Sequence, residues 1–232
     1  MNDDIAASDQ IEPVLPAATV VLVRDGAEGM EALLVQRHKD VSHMGGMWVF
    51  PGGKVEAGDR IEDDDHKAAV NAAIRETGEE AGLTLAPEQL LYFSHWTTPV
   101  GAKRRFATWF FLALLEDGQH VEVDGGEIAH HRWVQPRLAL AESDDPDQVL
   151  RLMPPTYVSL HTIADCVSCA DARVRVGGSE PMIFEPAVVA DDAGVHFLYT
   201  GDAGYESLDL NVPGPRHRLL MSSDSMCYVC EL

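Results

Sequence analysis

The stretch Val70 to Leu83 (VNAAIRETGEEAGL) constrains this chain more than any other. Val70, Ala73, Ile74, Thr77 and Ala81 recur at three- and four-residue spacing, which predicts a helix with one buried stripe. Gly82 follows as a natural C-terminal stop. Glu76, Glu79 and Glu80 stand at i, i+3 and i+4, so the same helix gathers their carboxylates on one side. Like charges so placed cost a helix about 0.2–0.5 kcal/mol per pair. The apolar stripe must therefore hold the helix in place. The acidic face is either a solvated surface or a set of hard oxygen donors for a divalent cation, with magnesium the first candidate and manganese its substitute. Arg75 can orient one of these carboxylates by charge-assisted hydrogen bonds.

Around this helix the pattern is a mixed α/β (α+β) layout. Ala17 to Arg24 (AATVVLVR) has the β-branched content of a buried strand, and Asp25-Gly26 turns the chain towards a second strand, Glu31 to Arg37. A Gly- and His-containing loop runs from His38 to Gly46. Trp48-Val49-Phe50 then leads into Pro51-Gly52-Gly53, where two glycines permit a sharp turn and close backbone approach. Asp59 to Asp65 is acidic and reads as an exposed loop, with helix from about His66. Further strands are predicted at Leu91–Trp96, Arg105–Leu115 and Ile128–Val134, and a short helix at Pro136–Glu142 opens on proline.

From Asp145 the character changes. Two short helical stretches flank Pro154-Pro155, the second being Thr156–Ala164. Strand-like pieces follow at Met182–Val189, His196–Thr200, His217–Met221 and Met226–Leu232. The expected organisation is a disordered acidic tail over residues 1–16, a main domain over 17–144 and a C-terminal extension over 145–232 packed on it.

The 232 residues carry 17 Lys+Arg against 38 Asp+Glu, a formal charge of -21. Such a surface repels nucleic-acid backbones and anionic membranes, so neither is an expected partner. An anionic substrate must instead be met by local cations or metal. No apolar run reaches the roughly 18–20 residues needed to cross a bilayer. MNDDIAASDQIEP lacks the basic and apolar regions of a secretion signal, so a cytoplasmic protein is expected. Its partner is then a small molecule, and its assembly state a monomer or homodimer.

All four cysteines fall in two C-x2-C pairs, Cys166/Cys169 and Cys227/Cys230. Paired spacing is a structural-zinc signature, although the pairs are much farther apart than the usual ~15–20 residues. Reduced packing thiols are the alternative. The scattered histidines, among them His43 and His130-His131, have no spacing that compels a metal.

Gly53 together with Arg75, Glu76, Glu79, Glu80, Gly82 and Leu83 resembles the Nudix box, G-x5-E-x7-R-E-U-x-E-E-x-G-U, in which U is bulky and apolar; Thr77 stands at the first U. The resemblance implies the Nudix fold, a mixed β-sheet sandwiched between helices, and hydrolysis of a diphosphate bond. Glu76, Glu79, Glu80 and Gly53 are then the implied metal positions, and Glu79, Glu76 and Arg75 the implied catalytic residues. Gly53 to Arg75 is eight residues longer than the usual box. Counting back from Arg75 puts Lys67 where the first Glu belongs, with Asp65 a nearby substitute.

An insertion at this place resembles the Nudix branch related to peroxisomal acyl-CoA diphosphatases. Thr98-Pro99 with Lys103-Arg104-Arg105-Phe106, Gly126-Glu127-Ile128 through Val134, and Leu152-Met153-Pro154-Pro155-Thr156 are similar to that branch too. The resemblance covers roughly residues 17–200. A coenzyme A pyrophosphatase signature matches Leu33, Leu34, Arg37, Gly46 and Phe50 to Gly53, but Val35, His38 and Ser42 depart from it, the last replacing an arginine. The implied substrate is a nucleoside diphosphate linked to another moiety, with coenzyme A or acyl-CoA favoured. ADP-ribose, an NAD-type dinucleotide or a nucleotide sugar is the alternative, and a non-catalytic nucleotide-binding module a third reading. Arg37, Lys103, Arg104 and Arg105 are candidate substrate contacts, the last three otherwise forming a solvated turn. Glu122 and Glu127 are candidates for a base, or else polar strand-end residues.

Overall fold

A computed structural model describes residues 13–41, 44–115, 118–145, 150–223 and 225–232. Its centre is β1 (Val14–Gly26), flanked by antiparallel β2 (Gly29–Arg37) and by β6 (Arg105–Leu114) in parallel. Successive side chains of a strand point to opposite faces. Val21 and Val23 accordingly enter one core, while Ala18, Val20 and Leu22 enter the other. Burial on both faces explains why AATVVLVR is continuously apolar rather than alternating.

The sheet grows outward through β3 (Trp48–Val49) on β2, β5 (Leu91–Thr97) on β6, and β7 (Ile128–Val134), which also pairs β2. A short strand, β4 (Gly52–Lys54), pairs β1. On one face lies α1 (Asp65–Ala81), burying Ala69, Val70, Ala72, Ala73 and Ala81. Packed against the other face are α2 (Pro136–Ser143), α3 (Pro154–Ile163) and α4 (Cys169–Gly177), through residues such as Ala139, Leu160, Ile163 and Val176. The result is a mixed sheet between helices.

The C-terminal segment is built into this sheet. Its strand β8 (Met182–Phe184) pairs β5 in parallel, with Phe184 stacked on Trp96 at 3.8 Å. It then forms an antiparallel meander of β9 (Ala187–Asp191), β10 (Gly194–Leu198), β11 (Arg216–Met221) and β12 (Met226–Glu231). Arg218 of β11 closes an ion pair at 2.6 Å with the buried Asp202. The Asp202 carboxylate also accepts the backbone N–H groups of Gly204 and His217.

Several elements differ from expectation for local reasons. Helix α1 starts at Asp65, because the Asp64 carboxylate caps it by accepting the Lys67 N–H at 3.0 Å. Pro154 occupies the first turn of α3 rather than ending a preceding helix, as its missing N–H has no partner to lose there. Ahead of it, residues 146–149 lie outside the described residues, and Leu152 makes an isolated parallel bridge to Trp48. Met182–Val189 is two strands interrupted at Glu185-Pro186, proline being unable to donate to a ladder. The helix α4, capped by Ser168, was not anticipated. The tail expected over residues 1–16 lies outside the described residues up to residue 12, whereas Val14–Pro16 pair with Arg105–Ala107 as the start of β1. His43 and Ser42 are also outside the described residues.

Candidate functional site

Strand β4 brings two glycines against β1, Thr19 facing Gly52 and Ala18 facing Gly53. The Pro51 carbonyl is fixed by the Val20 N–H at 2.9 Å and the Thr19 hydroxyl at 2.6 Å. A Cβ on Gly52 would lie 2.4 Å from the Ala18 carbonyl oxygen, so no side chain fits there. One on Gly53 would lie 2.3 Å from the Glu76 carboxylate. Glycine at these two positions lets the end of β4 lie directly on the acidic side of α1.

On that side the three glutamates differ in setting. The side chain of Glu80 is 7% exposed, that of Glu76 16% and that of Glu79 60%. The Gly52 N–H donates to Glu80 Oε2 at 2.9 Å. Burial nevertheless raises the Glu80 pKa to about 8; the Gly52 bond and Arg37 oppose the shift, while Glu76 and Glu127 add to it. Burial is also the main cause of a raised Glu76 pKa, opposed by Arg75 and reinforced by Glu79 and Glu127.

Arg75 ties the site together. Its Nη1 donates to Glu76 Oε1 at 2.9 Å and to Glu79 Oε2 at 3.0 Å, and Nη2 donates to the Lys54 carbonyl at 3.0 Å. The remaining edge grips Asp59, with Nε to Oδ1 at 3.0 Å and Nη2 to Oδ2 at 2.9 Å. Asp59 is buried in a short 3-10 turn, Ala57–Asp59, and its other carboxylate bond comes from the Glu56 N–H at 2.8 Å. Asp59 lies six residues after Gly53, the first-Glu place of the box when counted forward from the glycine. The extra residues therefore follow that position instead of preceding it. Lys67 pairs with Glu62 and Asp65 with Arg60, both at the surface, so neither supplies the missing carboxylate. Counting forward as well as back would have found Asp59.

Of the proposed bases, Glu127 joins the site and Glu122 does not. The Asp124 carboxylate accepts the N–H groups of Glu127 and Ile128, both at 2.9 Å, which sets the turn that presents Glu127. Glu127 pairs with Arg37, which lies 4.0 Å from Glu80. Glu122 is exposed, and its backbone packs against Gly82 at the far end of α1.

An open cleft of about 800 Å³ borders this site, reaching Glu76 and Glu127 but not Asp59, Arg75, Glu79 or Glu80. Its lining includes Arg37, Gly53, Lys54, Glu76 and Glu127, together with Trp96, Phe110, Met153, Phe197 and Met221. Of the basic run, Arg104 lines the cleft. Arg105 instead donates to the Thr98 carbonyl at 3.1 Å, and Lys103 is exposed away from the lining.

Glu76, Glu79, Glu80, Glu127 and Asp59 outnumber the two guanidinium groups among them, Arg37 and Arg75. Hard oxygen donors with a surplus of negative charge suit a divalent cation such as magnesium. With Arg75 held between Glu76 and Glu79, no three His, Cys, Asp or Glu side chains among the described residues stand together at metal-ligand spacing. The zinc expectation is corrected by the same observation. Cys166 and Cys169 are buried around the start of α4, whereas Cys227 and Cys230 are exposed on the edge strand β12. A strand turns residues i and i+3 to opposite faces, so the second pair cannot present both sulfurs to one ion.

A family model described as NUDIX domain matches residues 14–153. Among similar proteins, a "Putative nudix hydrolase 7" of Caenorhabditis elegans is 23% identical over 146 residues, 48% of each chain. A "Putative 8-oxo-dGTP diphosphatase 3" of Mycobacterium tuberculosis is 37% identical over 120 residues, 51% of each chain. The chain thus spans about half the length of these curated relatives. A solved structure of a NUDIX hydrolase from Alicyclobacillus acidocaldarius superposes with a TM-score of 0.62 at 25% identity, covering 70% of this chain and 96% of that one.

Proposed function

The chain belongs to the Nudix family, and from that premise we propose that it hydrolyses the diphosphate bond of a nucleoside diphosphate joined to a second moiety, coenzyme A or an acyl-CoA being favoured. The observation that carries this reading is Arg75, which holds Asp59, Glu76 and Glu79, with Glu76 and Gly53 lining an open cleft. One sequence match supports the substrate: the coenzyme A-type signature running from Leu33 to Gly53, whose Arg37 lines the cleft.

In this reading Glu76, Glu79, Glu80 and the Gly53 carbonyl hold the magnesium, or manganese in its place. When bound, the metal supplies charge neutralisation for the diphosphate and an acidified water. Glu127, which pairs with Arg37 and lines the cleft, is the candidate base that takes the proton of the attacking water. Arg104 and Arg37 meet phosphate oxygens in the cleft and offset the negative field of the protein. Arg75 acts on Glu76 and Glu79 through two hydrogen bonds and is a positioning residue. Water adds to one phosphorus, the bridging P–O bond breaks, and the displaced phosphate leaves as the second product.

The test is incubation of the protein with magnesium and separate samples of coenzyme A, acyl-CoA esters, ADP-ribose, NADH, nucleotide sugars and 8-oxo-dGTP, with products identified by mass. The expected products are an adenosine diphosphate fragment and a phosphopantetheine. Turnover of 8-oxo-dGTP alone would move the substrate class towards that in the mycobacterial relative's name. Turnover of nothing would leave a nucleotide-binding module.

A further inference from the structure

Along β6 the cleft is lined by every second residue. Phe106, Thr108 and Phe110 face it, whereas Arg105, Ala107 and Trp109 do not, as the alternation of a strand requires. Arg104 continues the cleft-facing series just ahead of the strand and lines the cleft as well. The base of the β5–β6 hairpin that carries it is pinned. The Thr98 N–H donates to the Phe106 carbonyl at 2.8 Å, and the Thr98 hydroxyl accepts the Phe106 N–H at 3.0 Å. Arg105 donates to the Thr98 carbonyl at 3.1 Å on the same turn.

Strand register sets Arg104 far from the carboxylates. Gly53 pairs with Ala18 on one side of β1, and Arg105 pairs with Val14 on the other. Val14 to Ala18 spans about 13 Å along the strand, and β4 and β6 stand two strand spacings apart, roughly 10 Å. Arg104 therefore starts on the order of 16 Å from Gly53, further than one arginine side chain and one diphosphate reach together. Arg37, by contrast, lies 4.0 Å from Glu80. Of the six charged residues that line the cleft among the described residues, Arg37, Lys54, Glu56, Glu76 and Glu127 belong to the carboxylate end, and Arg104 stands apart. The floor between is uncharged, with Ala17, Thr108, Phe106 and Thr98. In a chain of formal charge -21, no acidic side chain pairs with Arg104 among the described residues.

We propose that Arg104 binds a second phosphate of the substrate, a phosphomonoester set apart from the scissile diphosphate by an uncharged spacer such as a ribose, and that it selects substrates carrying one. This inference rests on the reading that the diphosphate lies at the carboxylate end of the same cleft. A guanidinium meets a phosphomonoester through paired N–H donors. ADP-ribose, NADH and nucleotide sugars present no such group to it.

The test uses two probe pairs that differ by one phosphate, coenzyme A with dephospho-coenzyme A and NADPH with NADH. Hydrolysis with magnesium (kcat and KM) and calorimetric binding are measured on the full chain, on Arg104→Gln and on Arg104→Lys. The wild type should favour coenzyme A over dephospho-coenzyme A by about tenfold in kcat/KM, the size of one charge-assisted contact, with the difference in KM. Arg104→Gln should bring the phosphorylated probe down to its partner, and Arg104→Lys should retain part of the preference. The thermal midpoint should not move, because the exposed side chain has no partner to lose. A preference confined to NADPH would support the inference with the phosphate at another ribose position. No preference in either pair, a preference that survives Arg104→Gln, or no binding of any probe would overturn it. An Arg104-dependent preference in binding without hydrolysis would sink the proposed reaction and leave the Arg104 assignment standing.

Discussion

Asp59 holds Arg75 through both edges of its carboxylate, accepting Nε at 3.0 Å and Nη2 at 2.9 Å. This contact fixes the guanidinium so that its other nitrogen faces Glu76 and Glu79. Replacing Asp59 by Ala should cost about 1.5–3 kcal/mol, the range for hydrogen bonds to charged groups, and should also lower turnover by releasing Arg75. Urea denaturation and initial rates on one preparation would check both. A variant that loses stability but keeps full turnover would show that Asp59 serves the fold alone.

Gly53→Ala separates geometry from stability in the opposite way. Its Cβ would fall 2.3 Å from the Glu76 carboxylate, the movable tip of a side chain and not backbone. The expected stability change is therefore small, about 1 kcal/mol or less, the cost of a shifted side chain. Turnover should fall by more than about tenfold, because small misplacements at a reacting centre carry large rate penalties. Thermal melts and steady-state kinetics together decide it. Unchanged turnover would detach Glu76 from the chemistry.

The helix and the glutamate face were legible because one short sequence carried periodicity, stop signal and acidic spacing together. The central strands were legible because burial on both faces demands an unbroken apolar run. Asp59 was hidden by an insertion that shifts the box when it is read from the helix side. The apolar side of the cleft could not be read from sequence at all, since Met153, Phe197 and Met221 meet only through sheet pairing and the bridge at Leu152. Helix α4 lay unseen because its apolar content is slight and its start depends on the Ser168 cap.

The Arg218–Asp202 pair predicts an acid-dependent contribution to stability. Burial pushes the Asp202 carboxyl up, but Arg218 and the His217 and Gly204 N–H groups outweigh this and hold it at about 2, below its ordinary 3.8. A depressed folded-state pKa stabilises above the unfolded value and is lost as pH falls through the folded one. The contribution is thus complete near neutrality and fades between about pH 4 and pH 2. Arg218→Met should cost about 1.5–3 kcal/mol at pH 7, the range for hydrogen bonds to a charged group, and the gap from wild type should narrow through that acid window. Denaturation at a series of pH values measures it; a gap that stays constant would contradict the pairing.

The cysteines should react in two classes. Cys227 and Cys230 are exposed, whereas Cys166 and Cys169 are buried, and burial together with Asp25 raises the Cys169 thiol to about 12. A thiol-specific chromogenic reagent should titrate two groups quickly and two only on unfolding. Metal analysis of the same protein should find no zinc. Four equally slow thiols together with bound zinc would restore the zinc site.

The central claim is that the carboxylates gathered by Arg75 carry phosphoanhydride hydrolysis. Its most direct test is the initial rate of hydrolysis of the best substrate, with magnesium, by wild type and by Glu76→Gln and Glu79→Gln. These exchanges keep side-chain volume and remove only the charge. A fall of about a hundredfold or more in each, with thermal midpoints preserved, is the predicted result. Wild-type rates in both variants would contradict it.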